Sequence, residues 1–206
     1  MKKVQEYLND KGFALKVDGI IGPKTKSSLM MYIRGQFYKK GYKLPSKGLV
    51  YFRTDNRLTN TYDDFVALIK DTEVHLIAPC STTAGTYWVQ NPITHGGITG
   101  TAIAIEQQVQ GSHTFVTAKN WKTLWLQMPY FKQTKPIQIF RDGNKDDILN
   151  TGTTQKGLFG INLHKGGLSS FVDRWSAGCL VVPQKYWELI IPHFYNGEQI
   201  DFNLIS

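Results

Sequence analysis

The sequence predicts an α+β protein in which a small N-terminal helical module precedes a β-rich domain. In the first 34 residues, apolar side chains recur at helical spacing on either side of a glycine-rich turn. From residue 48 onward, short runs rich in Val, Ile, Leu and Phe alternate with Gly, Pro, Asn and Thr, which is the pattern of strands joined by turns. The length of 206 residues suffices for one ordinary domain and one small one.

The N-terminal segment predicts two helices. In the first, Val4 and Leu8 share a face, and Gly12 suits the residue just past a helix C-terminus. In the second, Pro23 fits the first helical position, and Leu29 begins an apolar face. Two short helices bury little surface, so we expect this unit to need support from the rest of the chain.

We place the helical module at residues 1–40, a linker at residues 41–47 and the β-rich domain at residues 48–206. The predicted strands of that domain are "GLVYFR", "VHLIAP", "GTAIAI", "HTFVTA", "PIQIF", "GLFGINLH" and "CLVVP".

Two stretches of the second domain have a helical pattern instead. "TYDDFVALIKD" carries Phe65, Leu68 and Ile69 on one stripe, with Thr61 or Asp63 available as an N-cap. "QKYWELIIPHF" is the other. We therefore predict helices in both stretches.

The chain is basic, with a net charge of +8 and a pI near 9.4. A nucleic-acid binder usually gathers its cations into a patch, but the densest group here is Lys39, Lys40 and Lys43, so we expect no nucleic-acid partner. Attraction to an anionic surface such as a bacterial wall and a plain solvated surface both remain open.

One histidine and one cysteine stand out, His164 at the end of a predicted strand and Cys179 at the start of the next. A cysteine acts as a nucleophile in its thiolate form, which a nearby imidazole favours. Cys80 ends an apolar run and is interpreted as a small buried hydrophobe. With two cysteines in all, we expect free thiols rather than a disulfide. The alternative for the pair is a buried cysteine and a hydrogen-bonded core histidine.

The glycines between these two residues have local roles. Gly166 and Gly167 let the loop turn away at once and are candidate substrate contacts, and Ser176 can hydrogen-bond within the turn. Gly178 lets the backbone approach a substrate carbonyl, and the N–H groups of Gly178 and Cys179 are candidate donors to an oxyanion.

His164, Gly166, Ser176, Gly178 and Cys179 resemble the signature of the L,D-transpeptidase catalytic family. The resemblance implies that the cysteine is acylated by a stem-peptide carbonyl of peptidoglycan and that the histidine activates the thiol. In that family a backbone carbonyl or a polar side chain often orients the imidazole, and the sequence does not identify this third group.

The motif also departs from the family. Ala177 stands where the family has a second histidine, and Leu180 and Val181 differ from the usual residues after the cysteine. Substrate specificity is therefore more in doubt than the Cys–His chemistry. Arg174 and Trp175 are candidate contacts to a substrate carboxylate and to a ring or glycan face, although structural roles are equally open.

Four further histidines are present, at positions 75, 95, 113 and 193. Two of them, His95 and His113, lie in stretches that look like loops and can line the cleft, whereas a lone histidine is more often a surface residue. We retain His113 as a candidate substrate contact.

The first 34 residues resemble a peptidoglycan-binding domain, in a version shorter than usual. The resemblance implies binding to wall glycan or stem peptide through a turn containing Asp18, Gly19, Gly22 and Thr25; a helical cap without a ligand is the alternative. The matching residues are Val4, Gln5, Leu8, Gly12, Val17, Asp18, Gly19, Gly22, Pro23, Thr25 and Leu29.

In "RDGNKDDILN", Asp142, Asn144 and Asp146 stand at alternate positions, as at the start of a calcium loop. Asp147 and Thr153 occupy positions where such a loop has Gly and Glu, so an Asp-Gly hairpin turn is the favoured interpretation. No spacing typical of zinc ligands or of a phosphate-binding loop is present in the sequence. We expect no metal and no cofactor.

These features favour a peptidoglycan hydrolase of the phage endolysin type, a monomer that cleaves a stem-peptide or cross-bridge bond. The N-terminus lacks the apolar run of roughly 7–15 residues of a signal peptide, and no stretch approaches the ~20 apolar residues of a membrane span. We therefore expect synthesis in the host cytoplasm, no membrane insertion and action on the wall from the periplasm or outside. An L,D-transpeptidase and a non-catalytic wall-binding protein are the alternatives.

Overall fold

Two helices open the chain in a computed structural model, which describes residues 1–55, 57, 60–117, 128–145, 148 and 153–206. Helix α1 (Lys2–Asp10) ends just before Gly12, whose φ of +94° lies in the left-handed region. Helix α2 (Pro23–Lys40) starts at the predicted proline. Both predicted N-terminal helices are therefore present, and α2 is longer than its apolar pattern indicates.

The rest of the described chain is β-rich, as predicted, with two further helices. In chain order its elements are β1 (Lys47–Phe52), β2 (Asp64–Lys70), β3 (Glu73–Cys80), α3 (Thr86–Gln90), β4 (Thr94–His95), β5 (Ile98–Thr99), β6 (Thr101–Ala104), β7 (Gln107–Val116), β8 (Tyr130–Gln133), β9 (Ile137–Asp142), β10 (Thr153–Gly157), β11 (Leu163–Lys165), β12 (Leu180–Val182), α4 (Gln184–Ile190) and β13 (Gln199–Ile205). Short 3₁₀ turns lie at Asp173–Trp175 and Ile191–His193.

Most strands join one sheet in the order β12-β11-β8-β7-β13-β1-β2-β3. The pairs β1–β13 and β11–β12 are parallel, and the other pairs are antiparallel. A bridge between Ser81 and Val181, with N···O distances of 2.8 and 2.9 Å in the two directions, ties the end of β3 to β12. The two edges of the sheet therefore meet, and the sheet is barrel-like. A smaller sheet, β10-β9-β6, lies beside it.

The predicted helix over "TYDDFVALIKD" is wrong, because these residues form strand β2. Phe65, Ala67 and Ile69 face the N-terminal helices, whereas Val66 and Leu68 face the other core. A strand buried on both faces loses the alternation of apolar and polar residues, so its continuous apolar run imitated a helical stripe. The second predicted helix corresponds to α4.

The N-terminal helices share a hydrophobic core with the sheet. Leu8 of α1 and Phe37 of α2 pack in one cluster with the outward-facing side chains of β1, β2 and β3. In the predicted linker, Tyr42 and Leu44 pack against this cluster as well. The helical segment thus obtains from the sheet the support that its small size requires; the domain boundaries stay a prediction. None of the described helices combines the length and apolar character needed to cross a membrane.

Candidate active site

A cavity of about 670 Å³ lies between the small sheet and the turn that leads into β12. Its walls come from α3, from the ends of β6 and β9, from the segment before β11 and from the 3₁₀ turn at Asp173–Trp175. The lining residues are Trp88, Ile93, His95, Gly100, Thr101, Ala102, Arg141, Phe159, Gly160, Ile161, Asn162, Arg174, Trp175, Ala177 and Cys179. A predicted nucleophile and two predicted substrate contacts therefore share one cavity.

Cys179 is half-buried, and its sulfur hydrogen-bonds to the backbone of the segment before β11. The Asn162 N–H donates to Sγ at 3.4 Å, and the thiol donates to the Gly160 carbonyl at 3.3 Å. Burial raises the pKa of the Cys179 thiol to about 11, although the N–H groups of Asn162 and of Cys179 itself act in the opposite direction. The thiol is therefore neutral near pH 7.

His164 lies in β11 and is fully buried. Its Nδ1 is 2.6 Å from the Lys165 carbonyl oxygen. Because a carbonyl can only accept, Nδ1 carries the hydrogen, and in the neutral ring Nε2 has the lone pair. Burial lowers the pKa of His164 to about 4, so the ring is neutral near pH 7. The ring is not part of the cavity lining.

The strand register relates the two residues. Strand β11 pairs with β12 in parallel, Leu163 opposite Leu180 and His164 opposite Val181. Because paired residues share a face and faces alternate along a strand, Cys179 and His164 project from the face opposite to Leu163 and Leu180. The imidazole lies one strand across from the thiol and two residues further along.

The turn before Cys179 is held by its own hydrogen bonds. Ser176 Oγ lies 2.7 Å from the Cys179 carbonyl and 3.1 Å from the Thr83 carbonyl, and it accepts the Gly178 N–H at 3.1 Å. The Gly178 N–H is thus engaged within the turn in this structure, and its role as a donor to an oxyanion stays a prediction. Gly178 has a φ of +133°, and a Cβ there would overlap the Ala102 carbonyl. The close approach made by this glycine is to strand β6.

Gly166 and Gly167 leave space for neighbouring side chains to pack against the backbone, and they do not line the cavity. A Cβ on Gly166 would overlap the Tyr62 hydroxyl, and one on Gly167 would lie 2.5 Å from Trp175 Nε1. The Tyr62 hydroxyl also accepts the Gly167 N–H at 3.1 Å. In the structure both glycines therefore leave room for packing, and their contact with substrate stays a prediction.

His113 is in strand β7, not in a loop, and is fully buried. Its Nε2 donates to the Ile161 carbonyl at 2.8 Å, and burial lowers the pKa of the ring to about 4. Ile161 lines the cavity and His113 does not, so His113 supports the cavity wall from behind, and its direct contact with substrate stays a prediction.

Arg174 and Trp175 do line the cavity. The Arg174 guanidinium lies 4.1 Å from the Tyr87 ring centroid, and the Arg174 carbonyl accepts the Trp88 Nε1–H at 3.0 Å. These contacts fix the 3₁₀ turn against helix α3. His95 is also in the lining and packs edge-on against Phe159 with a centroid distance of 5.7 Å.

Sequence reasoning missed Gln133, which is buried and holds the segment of the cavity wall that contacts Cys179. Its Oε1 accepts the N–H groups of Phe159 at 3.1 Å and Ile161 at 3.0 Å. Its Nε2 donates to the carbonyls of Lys135 and Gly157, both at 2.9 Å. No local motif marks such a residue, because all its partners depend on the tertiary fold. Arg141 and Asn162 were missed for the same reason.

The turn proposed for wall binding is built from mutual hydrogen bonds. Asp18 Oδ1 accepts the Gln5 side-chain amide and the Ile20 N–H, both at 2.9 Å, and Gly19 N–H donates to Gln5 Oε1 at 2.7 Å. Gly22 is the N-cap residue of α2, and Thr25 is buried. These residues fix the connection between α1 and α2.

The stretch that is similar to the start of a calcium loop lies only partly in the described residues. Asp142 ends β9 and is buried, with Oδ1 accepting the Asn144 N–H at 3.3 Å. Asp146 and Asp147 lie outside the described residues. Within the part of the chain that the structure describes, no cluster of three His, Cys, Asp or Glu side chains is arranged to hold a metal ion.

Comparison with known proteins gave two solved structures of interest. No family model matches the sequence, and no curated protein matches it. The chain is similar to an L,D-transpeptidase from Xylanimonas cellulosilytica at 16% identity and a TM-score of 0.33, covering 99% of this chain and 92% of that one. It is also similar to the Ldtfm–avibactam carbamoyl enzyme at 11% identity and a TM-score of 0.31, covering 79% of this chain and 49% of that one. Both TM-scores are low, so the residues of this chain carry the functional argument.

Proposed function

We propose that this protein is a cysteine enzyme of peptidoglycan that opens a peptide bond of the stem peptide or cross-bridge, with Cys179 as the nucleophile. The observation that carries the proposal is a solvent-reachable thiol in a 670 Å³ cavity that it shares with Arg174 and Trp175. The described lining contains arginine and tryptophan side chains and no Asp or Glu, which suits an anionic peptide attached to a glycan.

The proposed reaction has two steps, with His164 Nε2 as the base. As Sγ of Cys179 bonds to the carbonyl carbon, its proton passes to His164, and the carbonyl electron pair moves to oxygen. Collapse of this intermediate breaks the C–N bond, and the leaving amine takes the proton from His164. Water then attacks the thioester and gives a proton to the imidazole. The C–S bond breaks, and the thiolate recovers that proton.

The tautomer of His164 supports its role as base, because Lys165 O fixes the hydrogen on Nδ1 and leaves the lone pair on Nε2. In the ligand-free protein the transfer is uphill, since the pKa of the thiol is about 11 and that of the imidazole about 4. We therefore propose that proton transfer is coupled to attack, when charge passes from sulfur to the carbonyl oxygen. The Asn162 N–H already contacts Sγ and is a candidate donor to that oxygen.

Hydrolysis is the proposed outcome, as expected from the sequence for an endolysin-type enzyme. Attack by an amine on the same thioester would form a cross-link instead. In this proposal the N-terminal helices serve as the wall-binding module, because their turn carries the residues that resemble such modules. The direct test is digestion of isolated sacculi, followed by mass spectrometry of the released muropeptides and by counting new amino termini.

The expected result is new amino termini with the native protein and none with Cys179→Ala. The matched control is Cys80→Ala, which removes a thiol that is fully buried in the core and does not line the cavity. Loss of activity in both variants, or in neither, would contradict the assignment of Cys179. New cross-links in place of new amino termini would favour the transpeptidase.

A non-catalytic wall-binding protein is the second candidate, and the neutral state of the Cys179 thiol favours it. It predicts that native protein and Cys179→Ala sediment equally well with sacculi and that neither releases muropeptides. Release of muropeptides by the native protein alone would exclude it.

A further inference from the structure

Arg141 is a buried cation in the wall of the cavity. It lies in β9, with Ala102 of β6 on one side and Thr153 of β10 on the other, and its exposed fraction is 6%. Its Nε donates to Gln155 Oε1 at 2.8 Å, and its Nη1 donates to the Gly100 carbonyl at 3.2 Å. The orientation of the guanidinium is therefore fixed.

One end of this guanidinium lacks an acceptor. Arg141 Nη2 is buried and has no hydrogen-bond partner in the described part of the chain, and none of the ion pairs found there includes Arg141. The Phe159 ring lies 5.0 Å from the guanidinium carbon and covers one face. A buried charged donor without an acceptor destabilises the folded protein, so its retention beside a cavity indicates that a ligand supplies the acceptor.

The cavity around Arg141 favours an anion. Arg174 provides a second guanidinium in the same lining, and the described lining has no Asp or Glu. Arginine is suited to carboxylates because a hydrogen bond from its always-charged guanidinium to a carboxylate is charge-assisted, and Nη2 of Arg141 still has N–H groups to donate. Cys179 is part of the same lining, so an anion held by Arg141 would lie in the cavity that contains the reacting sulfur.

We propose that Arg141 is a specificity-determining residue that binds a free carboxylate of the substrate, with Nη2 donating a hydrogen bond to it. This inference rests on the proposed function and deepens it. The substrate class becomes peptides that carry a free carboxylate close to the bond that Cys179 opens, and amidation of that carboxylate weakens binding.

The test measures binding and not turnover. Full-length Cys179→Ala protein is titrated calorimetrically with a synthetic stem tetrapeptide that has all its carboxylates free. It is also titrated with the same peptide amidated at the C-terminus and with one amidated at the internal carboxylate. We expect one of the amides to bind about ten- to hundred-fold more weakly than the free acid, the range for loss of a charge-assisted hydrogen bond.

The same titrations are repeated with Arg141→Gln added, and we expect this preference for the free acid to disappear. Lys156→Gln is the matched control, because Lys156 is an exposed cation of the same hairpin that does not line the cavity, and its loss changes the net charge equally. The preference should persist there. Because the acid and the amide are compared within one variant, a uniform loss of stability does not imitate the effect.

An unchanged preference in Arg141→Gln, an equal loss in Lys156→Gln, or absence of measurable binding of the free acid would each overturn the inference. The proposed function fails separately. If native protein cleaves no sacculi while the Arg141-dependent preference is found, the cavity is a carboxylate site without the proposed chemistry. If sacculi are cleaved and the preference is absent, the proposed function stands and the carboxylate inference falls.

Discussion

Two regions of the molecule differ in what they bury. One is the face of the large sheet that packs against the N-terminal helices, and the other is the wall of the cavity. The helix-covered face is apolar, with Phe52 and Phe65 stacked at a centroid distance of 4.5 Å. The cavity wall and the strands behind it bury polar groups, among them Arg141 in the lining and His164 and Gln133 behind it. Apolar packing stabilises the fold, whereas buried polar groups destabilise it unless each finds a partner. We infer that stability resides mainly in the first region and specific chemistry in the second.

The largest expected effect on stability lies in the helix-covered face. Phe52→Ala removes a fully buried ring, so we expect the free energy of unfolding to fall by about 3–5 kcal/mol in urea titration. The alkylation rate of Cys179 in the folded protein should stay as it was. A change in that rate would show that the two regions are coupled and would break the comparison.

Gln133→Ala tests the cavity wall. It leaves two N–H groups and two carbonyls without their acceptor or donor, so we expect a loss of about 2–4 kcal/mol in the same titration. Here the alkylation rate of Cys179 should change, because the segment that contacts Sγ loses its support. Gln138→Ala, on an exposed position of β9, is the control and should leave both quantities unaltered. Identical alkylation of native protein and Gln133→Ala would contradict this role.

The reactivity of Cys179 without substrate follows from the raised pKa of its thiol. Relative to an ordinary thiol pKa of 9.0, a pKa of about 11 lowers the thiolate fraction near pH 7 roughly a hundred-fold. We expect slow alkylation by iodoacetamide, with a rate that rises steadily up to about pH 10. Cys80, which is fully buried, should react only on unfolding. A plateau of the Cys179 rate below pH 8 would mean that a thiolate is already present.

Two buried histidines predict a pH dependence of stability. Burial lowers the pKa of His113 and His164 from 6.5 to about 4, so the unfolded chain takes up protons between these values while the folded protein does not. Their contribution is fully present above pH 6.5 and is lost as the pH falls through 4. At pH 5 each ring lowers the free energy of unfolding by about 2 kcal/mol relative to its value above pH 6.5. In His164→Gln the decrease should be smaller by the contribution of one ring. His75→Gln, at an exposed position, serves as the control; equal pH profiles for all three proteins would refute the assignment.

Local patterns predicted the parts of the fold that depend on local chemistry. The helical spacing of Val4 and Leu8 and the proline at position 23 marked α1 and α2, since caps and amphipathic faces act over a few residues. Strand β2 escaped because its burial on both faces is a property of the tertiary structure. The residues next to Phe65 in the sequence do not reveal which elements pack on the two faces of this strand.

In the candidate site, too, the sequence predicted the local features and not those that depend on distant strands. The Ser176–Cys179 turn was recognisable because its glycine and serine act within four residues. The partner that Gly178 approaches, Ala102, comes from a distant strand and could not be identified. Arg141 reaches the cavity through the pairing of β9 with β6, so its position also depends on long-range topology.

The measurement that tests the central claim most directly is the mass of the intact protein, quenched in acid within seconds of mixing with soluble muropeptides. The account predicts a thioester adduct with the mass of the acyl fragment, located on Cys179 by peptide mapping and absent from Cys179→Ala. Cleavage of muropeptides without an adduct, or cleavage that persists in Cys179→Ala, would contradict the account.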